Sequence, residues 1–411
     1  MLNEIVLLLA FLAYAFLYVF LIHRSHGSPV TWTWPVLCMA PALYLGWSVF
    51  GAAYDMSFTV ELVHFLKGRM SPWEIEHNFP YLPGYPVLLT PLAWMTQSAA
   101  GIARGAKLVN LGFLIWFGLR AGRIAFPEAK DSTARGVLYF SCHPLLVAVS
   151  LWHGQFEIVV VSLLLLSMTF WLSSAKDTPF LGGFIYGLAV SVKHWPVLAL
   201  PVLLSGPLRR IPRVFAGTLA AIIAILGLHL VLNGKFSRFF RILEYSGIPS
   251  WVGTLQALWL PEPRGWTFIC VAVALGAGVA IRLKGRPPAE AGMFTLLFFL
   301  LLSFRTAAQY WIWFLAFAPF CLSGREGPFW LTSGSLAGIV LLLEWGFALG
   351  WQGEYPHATW QGNYPHLRDY PHVSSAAIWL FQLVWRPLFL IAVASAGVWY
   401  YRSYRAPAPH D

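Results

Sequence analysis

Charged residues are scarce in this chain. Of its 411 residues only 11% are Asp, Glu, Lys or Arg, and 58% are hydrophobic, whereas about 25% of an average soluble domain is charged. Apolar runs long enough to cross a bilayer recur from end to end, and a backbone in lipid must satisfy its own hydrogen bonds. The composition therefore excludes a soluble protein and predicts an all-α, polytopic transmembrane bundle of about 11–13 spans. The run lengths also exclude a barrel, whose strands are about ten alternating residues.

The sequence also lacks cysteine motifs and glycine-rich phosphate loops. The four cysteines form no CxxC pair and lie in or beside apolar runs, which predicts small core residues. No Walker or other Gly-rich phosphate motif occurs, so the chain gives no support to soluble-nucleotide chemistry. The net charge of +10 is what basic cytoplasmic loops give a membrane protein, and no nucleic-acid partner is expected.

The apolar runs divide a single membrane domain, 1–411, into predicted spans. These are about 5–22, 35–53, 81–97, 106–119, 137–151, 157–173, 180–205, 214–232, 266–281, 291–304, 310–322, 329–350 and 376–399. The run 180–205 is long enough for a broken pair. The first run lacks a basic leader and a cleavage site, so we expect a retained span.

Clusters of Arg and Lys predict the orientation, because such clusters stay cytoplasmic. The loops 54–80, 233–265 and 351–375 then face outward, as does the turn 152–156. With both 54–80 outside and 120–136 inside, segments 81–97 and 106–119 supply only one crossing. One of the two is therefore re-entrant or interfacial.

The first outer loop, 54–80, is the most acidic stretch of a chain with only 17 acidic residues. Its acids are Asp55, Glu61, Glu74 and Glu76. Residues 58, 62, 65 and 66 predict an apolar helical stripe, with Asp55, Glu61 and Lys67 off it, as in a helix lying in the membrane interface. Asp55, just past a span, is placed to act as a general base on an acceptor hydroxyl; the alternative is a solvated acid at a helix end.

Three polar interruptions follow. Glu157 is the last residue of the polar segment Trp152-His153-Gly154-Gln155-Phe156-Glu157 and lies at the start of a span. A charge there is costly unless it is paired or faces a cavity. The alternative is a plain polar turn. Lys193 interrupts an apolar segment just before Pro196, and its ammonium suits a phosphate; the alternative is a lysine that snorkels to the surface.

The third interruption is Phe304-Arg305-Thr306-Ala307-Ala308-Gln309-Tyr310-Trp311. Arg305 is a second candidate phosphate ligand, and Gln309 and Tyr310 could hydrogen-bond a sugar; an interfacial anchor is the alternative. Three Tyr-Pro-His units invite a metal site at His357, His366 and His372, but the spacing fits no familiar site. We expect no required cofactor, with a divalent metal as an option.

The order of these motifs carries a resemblance. Tyr81-Leu82-Pro83-Gly84-Tyr85-Pro86, His143-Pro144, the polar segment 152–157, the segment 187–196 and Gln309-Tyr310-Trp311-Ile312-Trp313 together resemble the GT-C superfamily of integral-membrane glycosyltransferases. The likeness is strongest to mannosyltransferase-type branches that use polyprenyl-phosphate sugars, and it covers about residues 35–320. Two departures are Glu157, where many members have Asp, and the split Tyr-Pro-Pro pattern at 81–86.

The resemblance implies a function. Such enzymes invert the sugar as they move it from a polyprenyl-phosphate donor to an acceptor, here a lipid-linked glycan, a polysaccharide or a protein at the outer face of the plasma membrane. It implies Asp55 as the base and Lys193 and Arg305 as ligands of the donor phosphate. The expected substrate-binding residues are Glu61, Tyr81, Tyr85, His153, Gln155, Glu157, His194, Gln309 and Tyr310.

Three other functions stay open at this point. A transporter or flippase of a polyprenyl-linked lipid would also need helix breaks and cations, and inverted repeats, of which we see none, would favour it. A polymerase or ligase acting on undecaprenyl-diphosphate glycans would place its main outer loop late, as at 351–375. A non-enzymatic subunit of a glycosyltransferase complex is the third.

Overall fold

A computed structural model describes residues 2–25, 28–48, 54–74, 81–96, 98–152, 154–172, 178–203, 208–239, 265–303 and 308–321. Within these ranges every element of regular secondary structure is a helix and no strand occurs, as the composition predicted. The α-helices are α1 (Leu2–Ser25), α2 (Thr33–Ser48), α3 (Tyr54–Lys67), α4 (Gly84–Met95), α5 (Ala99–Ala125), α6 (Ser132–Gly136), α7 (Pro144–Val147), α8 (Glu157–Leu172), α9 (Thr178–Val192), α10 (Leu200–Leu203), α11 (Ile211–Asn233), α12 (Trp266–Leu283), α13 (Pro288–Leu302) and α14 (Ala318–Cys321).

Three of these helices contain segments long and apolar enough to cross a membrane: Ala100–Ala125, Ile211–Asn233 and Trp266–Leu283. A fourth span is possible if Ser132–Ser141 and Pro144–Leu151, which meet at 63°, count as one broken span. Four shorter apolar helices accompany them among the described residues, and the bundle confirms a polytopic membrane protein. The spans predicted at 329–350 and 376–399, and the loop 351–375, lie outside the described residues.

Segments 81–97 and 106–119, of which the sequence allowed only one to cross the membrane, correspond to α4 and α5, and these two helices differ in length. With 12 residues, α4 is about 18 Å long, well short of a hydrocarbon core of about 30 Å. With 27 residues, α5 is long enough, and it begins earlier than predicted because Ser98 caps it by accepting a hydrogen bond from Gly101 N (3.0 Å). By length, α5 is long enough to cross the membrane and α4 is not.

Close backbone contacts fix the neighbours of α9. Gly183 and Gly187 on α9 and Gly217 on α11 lie where an added Cβ would collide with the facing helix, the small-residue packing common between membrane helices. At the other end of α9, a Cβ on Gly84 would lie 2.5 Å from the carbonyl oxygen of Ser191. The start of α4 is thereby held against the end of α9.

The predicted break in 180–205 is present. After α9 ends at Val192, residues Trp195–Ala199 form a 3₁₀ turn that leads into α10, because Pro196 and Pro201 cannot continue an α-helix. The span predicted at 310–322 is not one continuous α-helix within the described residues 308–321. Ala308–Ala316 is a 3₁₀ segment of about 18 Å, and an apolar run does not by itself distinguish a span from a buried segment.

Helix α3 is amphipathic, but its apolar side differs from the predicted stripe. Thr59, Val60, Leu62, Val63 and Leu66 are buried, and α3 packs on α4 and α5. At 100° per residue, position 55 lies in line with positions 59, 62 and 66. The backbone position of residue 55 therefore falls on the line of these buried residues, and the side chain of Asp55 lies outside what the structure describes.

Candidate active site

A buried ion pair lies at the centre of the described bundle. Lys193, the first residue after α9, places Nζ 2.5 Å from Oε1 of Glu157, the first residue of α8. Glu157 is fully buried and the Lys193 side chain is only 8% exposed. The same ammonium donates to Oε1 of Gln155 (3.1 Å) and lies over the ring of Tyr81, 4.8 Å from its centroid. The charge at each helix end is thus paired inside the protein, as burial requires.

Two indoles hold the second oxygen of the carboxylate. Trp195 Nε1 and Trp313 Nε1 both donate to Glu157 Oε2, at 2.9 and 3.1 Å. Their rings stack with centroids 4.4 Å apart and an interplanar angle of 9°. Tyr310 stacks on Trp313 at 4.3 Å because side chains three residues apart eclipse in a 3₁₀ helix. The carboxylate of Glu157 therefore joins α8, the break after α9 and the 3₁₀ segment.

A second aromatic pair leads from Lys193 to helix α3. Tyr81 stacks on Tyr85 with centroids 4.3 Å apart, and the Tyr85 hydroxyl and Thr59 Oγ1 share a hydrogen bond of 2.9 Å. Thr59 lies one helical turn after Asp55, on the same line of α3. The helix that carries the predicted base is thereby tied to the ion pair through Tyr85 and Tyr81.

The turn before α8 is buried and depends on Asn110 of α5. Asn110 Nδ2 donates to the carbonyl oxygens of Ser150 (2.8 Å) and Gln155 (3.0 Å), which satisfies backbone groups that the helix break leaves free. Gly154 has φ +76°, a conformation that favours glycine. Asn110 Oδ1 and Ser150 Oγ are buried and find no hydrogen-bond partner among the described residues; such groups mark positions for water or ligand.

The structure brings together six of the predicted site residues and leaves others apart. Those in contact are Tyr81, Tyr85, Gln155, Glu157, Lys193 and Tyr310. Of these, Tyr81 and Tyr310 are half-buried and the rest are buried, so the cluster reaches its surroundings through two aromatic rings. His194 is exposed, and Glu61 lies about 200° around α3 from Thr59. Gln309 lies in the segment Ala308–Ala316, and His153 and Arg305 lie outside the described residues.

Sequence reasoning missed four residues of this cluster and one buried cation on α5. Thr59, Asn110, Trp195 and Trp313 make the contacts given above. Lys107 is 4% exposed and lies one turn before Asn110 on the long helix α5, where a buried cation is expensive and marks a functional candidate. Its signal was present in the sequence as a charge within an apolar run. Trp195 and Trp313 lie within motifs that carried the resemblance, but nothing in the sequence assigned their indoles a role among 21 tryptophans.

The charges of the cluster are balanced and its hydrogen bonds are directional. One carboxylate meets one ammonium, and a glutamine amide and two indoles complete the set. Such an arrangement fixes the positions of the aromatic rings and of the backbone at the helix break. Its net charge is zero. Among the described residues, no three His, Cys, Asp or Glu side chains lie together as ligands of a metal would.

The fold and the buried polar cluster define a multi-pass α-helical membrane protein with a built interior site. Residues 79–306 match the model of glycosyltransferase family 87, and the chain belongs to this family. It is therefore a membrane glycosyltransferase of the GT-C type that the motifs resembled. No curated protein and no solved structure matches the chain. The matched range contains Tyr81, Tyr85, Gln155, Glu157 and Lys193, and it begins after Asp55.

Proposed function

We propose that this glycosyltransferase moves a mannose-like hexose, with inversion, from a polyprenyl-phosphate donor to a glycan or lipid-linked acceptor at the outer face of the plasma membrane, and that Asp55 is the base. The observation that supports this most is the contact path from Thr59 through Tyr85 and Tyr81 to Lys193. It links the helix of the predicted base to the buried cluster of the matched region.

The proposed reaction is a single displacement. The acceptor oxygen attacks the anomeric carbon from the face opposite the phosphate, and the bond between that carbon and the phosphate oxygen breaks. Its electron pair leaves with polyprenyl phosphate, while the acceptor proton passes to the Asp55 carboxylate. One base and a stabilised leaving group are enough for this step, and we propose that it needs no metal.

The structure changes the role that we propose for Lys193. Its ammonium has three N–H donors, and two face Glu157 and Gln155 while the third side faces the Tyr81 ring. We therefore propose Lys193 as a positioning residue that orients Tyr81 and Gln155. Direct binding of the donor phosphate falls to Arg305, and a phosphate contact by Lys193 would need the Glu157 pair to open.

The aromatic rings at the edge of the cluster are the proposed sugar contacts. Tyr81 and Tyr310 are half-buried while their stacking partners Tyr85 and Trp313 are buried. A ring that is fixed by stacking on one face and partly accessible elsewhere is preorganised to bind a ligand. We propose that the donor hexose lies between these two tyrosines, within reach of the Gln155 amide.

The donor class is tested with purified protein in nanodiscs. We expect transfer of radiolabelled mannose from polyprenyl-phosphate mannose to a mannoside-bearing lipid acceptor, no transfer from GDP-mannose, inverted configuration in the product, and no loss of rate in EDTA. Transfer from the sugar nucleotide, or retained configuration, would contradict the proposal. Movement of the polyprenyl lipid across vesicle bilayers with no transfer would favour the transporter instead.

A further inference from the structure

An open groove lies at the far end of α3, away from the buried cluster. Its volume is about 770 Å³, and its lining includes Lys67 at the end of α3, Arg69 just after it, Trp94 and Met95 at the end of α4, Val231 and Leu232 of α11, and the polar Thr96, Ser98 and Asn233. Trp94, Met95 and Val231 are 71%, 80% and 82% exposed, and both cations are exposed. Two positive charges therefore stand beside the exposed apolar side chains of Trp94, Met95 and Val231.

The groove lies at the boundary of a membrane span. Helix α11, with a mean hydropathy of 2.4 in its span, ends at Asn233 and is followed by Gly234 in the left-handed region and by exposed Lys235. The end of a span is the level of lipid headgroups, where Trp and cations concentrate. At this level the apolar side of the groove meets acyl chains and the cationic side meets phosphates.

Packing holds the cationic rim in place. Ser71 Oγ donates to the carbonyl oxygen of Ser237 (2.6 Å), and buried Trp73 stacks on Phe236 with centroids 5.5 Å apart. The turn after α3 is thus attached to the segment after α11, so that Lys67 and Arg69 remain beside the end of that span.

The backbone of Arg69 is unusual. Gly68 precedes it, yet Arg69 itself has φ +51°, and the bonds Arg69 N to Leu66 O and Met70 N to Phe65 O are those of a Schellman motif. That motif usually has glycine at this position because a Cβ is disfavoured there. Arg69 therefore occupies a position that suits glycine better, at a conformational cost that its side chain must offset elsewhere.

We propose that this groove binds an anionic glycerophospholipid, with the headgroup phosphate on Lys67 and Arg69 and an acyl chain along Trp94, Met95 and Val231. Charge complementarity selects the phosphate, and the adjoining apolar surface selects a lipid over a soluble phosphate. The donor's phosphate is a poor occupant of this groove. Lys67 lies twelve residues after Asp55 along α3, about 18 Å away. The donor's phosphate is bonded to the carbon that the acceptor attacks beside the base, so it cannot lie that far from Asp55. Only this exclusion depends on the proposed reaction.

The test measures binding of phosphatidylglycerol to the full chain by native mass spectrometry, with phosphatidylcholine as the neutral comparison. We expect wild type to prefer phosphatidylglycerol. We expect Lys67→Gln/Arg69→Gln to bind it about 30-fold more weakly, since both cations contribute to the binding free energy of the headgroup, and by similar amounts. The matched control is Arg209→Gln/Arg213→Gln, which removes two exposed charges at the other end of α11 and should leave the preference unchanged. Equal losses in the two double variants, or none in the first, would overturn the proposal.

Two further measurements separate binding from folding and from the donor. Arg69→Gly should keep or raise the midpoint of thermal unfolding, because glycine fits φ +51°, while it weakens phosphatidylglycerol binding. A fall in both together would assign Arg69 a merely structural role and sink the proposal. Displacement of phosphatidylglycerol by equimolar polyprenyl phosphate, abolished in Lys67→Gln/Arg69→Gln, would show that the groove is the donor site and contradict our assignment.

Discussion

Lys193 and Glu157 form an ion pair inside the bundle, with Nζ 2.5 Å from Oε1 and the carboxylate fully buried. The two residues are 36 positions apart and stand at the end of α9 and the start of α8, where those helices pack against each other. Around them gather Gln155, Trp195 and Trp313. The pair joins the helix break after α9, which holds Lys193, to the buried turn before α8, which holds Gln155 and Glu157.

A double-mutant cycle tests whether the charges depend on each other. Lys193→Met and Glu157→Leu alone should each lower the free energy of unfolding by about 3–5 kcal/mol, because each leaves a buried charge unpaired. The double variant should recover much of that loss while remaining inactive. Thermal unfolding in one detergent measures all four proteins. Additive losses would mean that the two side chains stabilise the fold independently.

The two indoles should matter more for activity than an equally buried indole elsewhere. Trp195→Phe and Trp313→Phe each remove one hydrogen bond to Glu157 Oε2 and should cost about 1.5–3 kcal/mol of stability, the range for bonds to charged groups, together with a fall in kcat. The matched control is Trp171→Phe, which removes a bond to the carbonyl oxygen of Val202 (3.0 Å). It should cost about 1 kcal/mol and leave turnover near wild type; equal effects on turnover in all three would remove the special role of Glu157.

The hydroxyl of Tyr85 should couple α3 to the site. Tyr85→Phe keeps the ring stacked on Tyr81 but removes the bond to Thr59, so we expect lower kcat with an unchanged KM for the donor. Thr59→Val should have the same effect, and the two together should be no worse than either one. Tyr18→Phe, which removes a bond to the carbonyl oxygen of Tyr139 (2.7 Å), is the control. A raised donor KM in Tyr85→Phe would place the hydroxyl in donor binding instead.

A pH-dependent contribution to stability is expected from Asp131, between α5 and α6. Burial raises the pKa of this carboxyl, but the hydrogen bonds from Arg135 and from the backbone N–H of Val30 outweigh burial and leave the pKa below its ordinary value. The folded state therefore binds the proton more weakly than the unfolded chain. The stabilisation is present above the unfolded pKa of about 3.9 and is lost as the pH falls through the lower folded pKa.

The comparison of wild type with Asp131→Asn measures this contribution. The unfolding temperature of wild type should exceed that of the variant at pH 7, and the gap should narrow towards pH 3. A gap that stays constant from pH 7 to pH 3 would show that the Asp131 charge does not contribute.

The sequence predicted the membrane class, the break after α9 and several members of the site, because each of these leaves a local signal. A lysine in an apolar run and a glutamate at the start of one are expensive in lipid, and this drew attention to Lys193 and Glu157. Their pairing had no local signal, since it depends on how α8 and α9 pack. The phosphate role predicted for Lys193 ignored the possibility that a protein carboxylate takes the same donors.

The misses have equally physical causes. Trp195 and Trp313 stand among many aromatic residues, and only the tertiary fold directs both indoles at one oxygen. The span predicted at 310–322 followed hydrophobicity alone, which does not reveal that Ala308–Ala316 is a 3₁₀ segment and not an α-helix. The predicted stripe on α3 included the buried Leu62 and Leu66 but missed the buried Thr59, Val60 and Val63, because the way α3 packs on α4 and α5 leaves no local signal.

The most direct measurement of the central claim is the transfer rate of Asp55→Asn beside that of Glu61→Gln, both in nanodiscs with polyprenyl-phosphate mannose. The two variants each remove one carboxylate charge from α3, but positions 55 and 61 lie on different sides of that helix. We predict that Asp55→Asn lowers kcat by at least about 10²–10⁴-fold, the usual contribution of a general base, with its unfolding temperature retained, and that Glu61→Gln turns over near the wild-type rate. Wild-type transfer by a folded Asp55→Asn protein would contradict the account.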